Sequence, residues 1–185
     1  MRKLLTMLLL STLTMSTAYA QKSHPVGMRM EVAEAGTTRG EYSVFTYKDA
    51  DDTFGYYLSV SRSTDFLGTD EVLGFEMGNF NEIVIWLGAT SDEAMTALAS
   101  LLDLCGKDVE TTAEFRGRAA TAGERLGESV TTLCVVTKKP LGGKRLMFIF
   151  PYGNHQAHAY LTKSVIKQLR FSFKIDRKLH PKQHQ

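Results

Sequence analysis

The stretch Glu82–Gly106, EIVIWLGATSDEAMTALASLLDLCG, leaves the chain the least freedom. Ile83, Val84, Ile85, Trp86 and Leu87 are consecutive apolar residues, which suits a strand covered on both faces. Gly88 and Ala89 then turn the chain, and Thr90 stands three residues before Glu93, the capping-box spacing of a helix start. Ala94, Leu98, Leu101, Leu102 and Cys105 recur at helical spacing, and Gly106 stands where a helix-terminating glycine belongs. A strand that must be covered on both sides demands strand neighbours and packed layers. The rest of the chain has to supply them.

Much of it reads as strands. Met28, Met30 and Val32 alternate with Arg29 and Glu31; a second strand follows near Glu41–Tyr47, and Lys48–Asp52 closes a hairpin onto Phe54, Tyr56, Leu58 and Val60. Val72–Met77 is expected as a further strand, and Thr111, Ala113, Phe115 and Gly117 alternate with polar residues as in a strand with one wet face. Val130–Val136 and Leu146–Phe150 complete the series, joined by a turn with Pro140, Gly142 and Gly143. The apolar runs at 83–87 and 144–150 are expected inside the sheet.

Tyr152–Gln156 is read as the approach to a final helix, with Leu161, Val165, Ile166, Leu169 and Phe173 on one face. Phe171, Phe173 and Ile175 also fit strand alternation. Lys163, Lys167, Arg170, Lys174 and Arg177 keep helical phase across them and decide for the helix, their stripe nearly opposite the apolar one. The expected fold is α+β: a mainly antiparallel sheet of about seven or eight strands with two helices packed against it. Residues 21–176 form one domain in this reading, and 177–185 a basic, mobile tail.

Residues 1–20 have the form of a cleaved signal peptide: Arg2 and Lys3, the apolar segment Leu4–Leu10, and the cleavage signature Ala18-Tyr19-Ala20. Cleavage after Ala20 leaves Gln21 first and no cysteine to carry a lipid, so the product is expected in the periplasm or outside the cell, and not as a lipoprotein. No later segment has the length and apolarity of a transmembrane helix, and a soluble protein is expected. Cys105 and Cys134 are the only cysteines; in an exported chain they can form a disulfide, or remain two buried thiols.

The formal charge of +2 conceals a division. Residues 21–137 hold nine Lys and Arg against nineteen Asp and Glu, whereas residues 138–185 hold eleven against one. The basic face of the last helix, with Lys163, Lys167, Arg170 and Lys174, is the candidate site for an anionic surface or an acidic partner. An ordinary solvated helix face, or one that meets the acidic half of the same chain, is the plain alternative.

No catalytic motif accompanies it. The acids at 49–52 lack the glycine and the twelfth-position glutamate of a calcium loop, since Thr53-Phe54 and Val60 stand there. Gly142-Gly143-Lys144 lacks the first glycine of a phosphate loop; Ser164–Lys167 has SxxK spacing without its companion motifs. His155 and His158 lack further metal ligands nearby. No cofactor, metal or nucleic acid is expected. The leading function is an exported, non-enzymatic binding or envelope-associated accessory protein; a small hydrolase-like enzyme, and a structural subunit or assembly factor, are the alternatives.

Overall fold

A computed structural model describes residues 25–37, 40–51, 53–61, 80–121, 126–152 and 155–184. The strands are β1 (Arg29–Thr37), β2 (Gly40–Lys48), β3 (Phe54–Ser61), β4 (Phe80–Gly88), β5 (Thr112–Thr121), β6 (Val130–Lys138), β7 (Lys144–Tyr152) and β8 (His155–Thr162). The helices are α1 (Ser91–Leu104) and α2 (Lys163–Leu179), followed by a 3₁₀ turn at Pro181–Gln183. All eight strands form one curled sheet in the order of the sequence, each antiparallel to the next. The α+β expectation holds, with β4 and β7 inside the sheet as their apolar runs require.

Alternation explains the layers. Tyr42, Val44, Tyr56, Leu58, Ile83, Ile85, Leu87, Cys134, Val136, Leu146, Phe148 and Leu161 share one face and one core. Both helices press into it: α1 through Ala94, Leu98 and Leu101, α2 through Val165, Ile166, Leu169 and Phe173. The intervening residues of β2–β5 build a second, smaller cluster on the other face, where Phe45, Tyr57 and Val84 are buried with Ala120 beside Trp86 and Leu126. Val84 therefore justifies the reading of 83–87 as doubly covered. Trp86 also explains Gly55: a Cβ there would stand 1.9 Å from the indole ring.

The start of α1 follows its sequence signal closely. Thr90 Oγ1 accepts from the Glu93 amide at 3.2 Å, and the Glu93 carboxylate accepts from the Ala89 amide at 2.7 Å. At the other end, Lys144 Nζ donates to the carbonyls of Lys107 (2.5 Å) and Gly106 (3.4 Å), so the lysine after the glycine pair holds the chain just beyond the helix.

Two expectations change, and one open alternative is decided. Residues 155–162, read as the end of the approach and the start of the last helix, form β8, in which Ala157, Ala159 and Leu161 point inward. Leu161 thus belongs to the sheet and not to the helix stripe. The segment from 177 is no loose tail: α2 continues to Leu179, and the 3₁₀ turn brings His184 back onto the core. Finally, Cys105 and Cys134 are both buried free thiols, without a disulfide. Cys105 Sγ lies 4.0 Å from the Lys144 carbonyl, while Cys134 faces Phe148, four residues further along β7. The expected strand at 72–77 lies outside the described residues, as does the segment 1–20.

Candidate functional site: the outer face of the last helix

The inward side of α2 is fixed by Leu169 and Phe173, which are fully buried. At about 100° per residue, the opposite side is centred near Phe171 and Lys178. Phe171, Ile175 and Leu179, spaced four apart, make an apolar line along that side, and they are 68%, 41% and 68% exposed. Lys163, Lys167, Lys174 and Lys178 fill an arc of about 60° immediately beside it. All four lysines are exposed, and none forms an ion pair with the described residues.

Of the four residues expected to form the basic site, Lys163, Lys167 and Lys174 are therefore presented to solvent together. Arg170 is half-buried at the margin, its Nε enclosed. Arg177 turns away to Asp92 of α1 at 2.5 Å, so one part of the basic helix does meet the acidic half of the chain. Lys163 and Lys167 also line, with Asp103, Gly106 and Lys107, a shallow depression of about 600 Å³ between the two helices. The basic stripe and the exposed apolar line run side by side along the outward face, meeting at Lys178 and Phe171. The apolar line escaped sequence reasoning because Phe171 and Ile175 are indistinguishable from core residues until the inward direction of the helix is known.

Asp176, the only acid of α2, lies on the inward flank and is engaged by the chain end. Its Oδ2 is 2.7 Å from Nε2 of His184, whose Nδ1 is 3.1 Å from the Tyr56 hydroxyl. The imidazole is only 4% exposed, stacks on Tyr56 and meets Phe173 edge-on, while the Ser91 hydroxyl donates to the His184 carbonyl at 3.1 Å. Neutral imidazole satisfies this arrangement, with Nε2–H donating to Asp176 and Nδ1 accepting from Tyr56. Burial pushes the His184 pKa down although the hydrogen bond to Asp176 pulls it up, and burial raises that of Tyr56 to about 12. With Tyr56 buried, the chain Asp176–His184–Tyr56 anchors α2 and offers no accessible nucleophile.

A second concavity lies on the other face of the sheet. The register aligns Glu34 with Ser43 and Ser43 with Ser59, and Glu82 reaches the same face from β4. With Arg29 and Glu31 they line a cleft of about 520 Å³. Arg29 pairs with Glu82 and lies 3.8 Å over the Phe45 ring; the Ser59 hydroxyl donates to the same carboxylate. Burial raises the Glu31 pKa against the hydrogen bond of Ser43 and the charge of Arg29. No local motif announces this cleft, because its members come from four strands.

Among the described residues, no group of three or more His, Cys, Asp and Glu side chains is placed to hold a metal. The His155–His158 pair falls on β8 and not near the start of the last helix. At the hairpin tip, Asp51 accepts from the Thr53 amide at 3.0 Å and Asp49 pairs with Arg118. None of the described helices is long and apolar enough to cross a membrane. Comparison with protein-family models, curated proteins and solved structures gives no significant match.

Proposed function

We propose that the protein is an exported, non-enzymatic accessory protein that docks onto an anionic surface through the outer face of α2. The observation that carries this reading is the concentration of exposed Lys163, Lys167, Lys174 and Lys178 along one helix, unpaired among the described residues. Nothing in the helix itself calls for that pattern. Lys163 stands at the positive end of the helix dipole, where a cation is unfavourable. The leader-like residues 1–20 support export, and an intact mass beginning at Gln21 in protein recovered from outside the cytoplasm tests it.

The docking test is co-sedimentation with polyanionic and neutral surfaces across a salt series. Binding is expected to favour the anionic surface, to weaken as salt screens it, and to fall sharply in a variant with Lys163, Lys167, Arg170 and Lys174 all changed to Gln. Undiminished binding by that variant refutes the proposal.

A second reading, a small hydrolase, rests on the cleft around Glu31 and Glu82. A carboxyl with a raised pKa beside a carboxylate clamped by arginine offers an acid and a base in one concavity. Turnover of an ester, amide or glycoside that vanishes in Glu31→Gln, with folding intact, would establish it.

A further inference from the structure

We infer that the anionic surface is a lipid bilayer, and that Phe171, Ile175 and Leu179 enter its interfacial layer while the neighbouring lysines hold its headgroups. The inference rests on the docking function proposed above and names its partner. A purely electrostatic contact with a soluble polyanion needs lysines and gains nothing from apolar residues beside them. Here the apolar line shares the outward side of the helix with the lysines, with Phe171 and Leu179 each 68% exposed. Removing apolar surface from water is favourable, and two-thirds of Phe171 and of Leu179 is left open by the described residues.

The arrangement matches what a bilayer surface presents. An interfacial helix lies in the membrane plane with its apolar side toward the acyl boundary and its lysines reaching back to the headgroups. On α2 the line from Phe171 to Leu179 covers two turns, and Lys167, Lys174 and Lys178 follow it along one side. The only acid of the helix, Asp176, is held away from that side by His184. The helix is also a fixed platform: Leu169, Phe173 and the His184 anchor set its rotation, so the same side always faces outward. Val26, Met28 and Met30 are further exposed apolar residues, the last two on or next to β1, the strand against which α2 principally lies.

The experiment uses the purified protein with phosphatidylglycerol-containing vesicles, neutral phosphatidylcholine vesicles and a soluble polyanion, heparin. Three proteins are compared: wild type, the four-site Gln variant, and Phe171→Ser/Ile175→Ser/Leu179→Ser. Because the three serines replace exposed residues, circular dichroism is expected to show an unchanged fold. The serine variant should lose at least about tenfold in partition onto anionic vesicles, while its heparin binding stays that of wild type. In addition, Phe171→Trp should be quenched by brominated acyl chains. At about 1 M salt, where the Debye length is about 3 Å, part of the wild-type vesicle binding should persist. Equal vesicle binding by the serine variant, or no quenching at position 171, overturns the bilayer inference and leaves polyanion docking standing. Undiminished binding by the Gln variant overturns docking itself.

Discussion

The two helices occupy equivalent places on the same core and differ almost entirely on the outside. Each is capped by a threonine, Thr90 for α1 and Thr162 for α2, and each buries a stripe of aliphatic residues at helical spacing. Outside, α1 carries small and acidic residues: Thr96 and Ser100 hydroxyls bond back to the Asp92 and Thr96 carbonyls at 2.9 and 3.1 Å. The outside of α2 carries lysines and an uncovered apolar line. The proposed docking function would use that excess on α2, which has no counterpart on α1.

If the insides are equivalent, their truncations should hurt alike. Leu98→Ala in α1 and Leu169→Ala in α2, both at fully buried positions, should each lower the unfolding free energy by about 2–5 kcal/mol in denaturant titrations. A small loss at only one of them would break the equivalence.

The anchor at the end of α2 has no counterpart on α1. Replacing His184 by Ala leaves the buried Tyr56 hydroxyl unpaired and should cost about 1–3 kcal/mol. It also sets a pH dependence. The folded state holds the His184 pKa below its ordinary value, so its contribution is intact above about pH 6.5 and is lost as pH falls through the depressed folded value. Asp176 and Arg177 of α2, His180 just beyond it, Tyr56 of β3 and Ser91 of α1 surround this group. Thermal melts across pH should show that part of the acid slope flattened in His184→Gln.

The helix starts sharpen the comparison further. Thr90→Ala should cost about 1 kcal/mol, and Thr162→Ala less, because the Thr162 cap contact is 3.4 Å long and lacks the support that Glu93 gives α1. The smallest stability effect belongs to the outer face. The serine substitutions at 171, 175 and 179 should each move stability by no more than about 0.5 kcal/mol, despite a large loss of vesicle binding.

The same contrast explains what the amino-acid sequence disclosed. Alternation in β2, β3 and β5 and the apolar runs of β4 and β7 were sufficient for an antiparallel sheet, because burial there follows a period of two. In β8, Ala157 and Ala159 carry the inward pattern with side chains too small to distinguish it from a helix, and the strand was missed. Lys163, Lys167 and Lys174 were readable by helical phase alone. Their apolar neighbours were not, since the outward direction of α2 is decided by Tyr56, Phe173 and His184, which are distant in sequence. The cleft on the opposite face needed the register of β1–β4 for the same reason.

The strand order has a kinetic consequence. With every strand hydrogen-bonded to its neighbour in sequence, each sheet contact joins segments adjacent in the chain, and the hairpins β1–β2, β2–β3 and β5–β8 can form locally. The union of α2 with β1 is different, because it joins the last helix to the first strand. Until the C-terminal segment is available, that concave edge has no lid and its apolar residues remain open to solvent. A chain emerging N-terminus first would therefore complete its core last at α2, the element on which we place its docking surface.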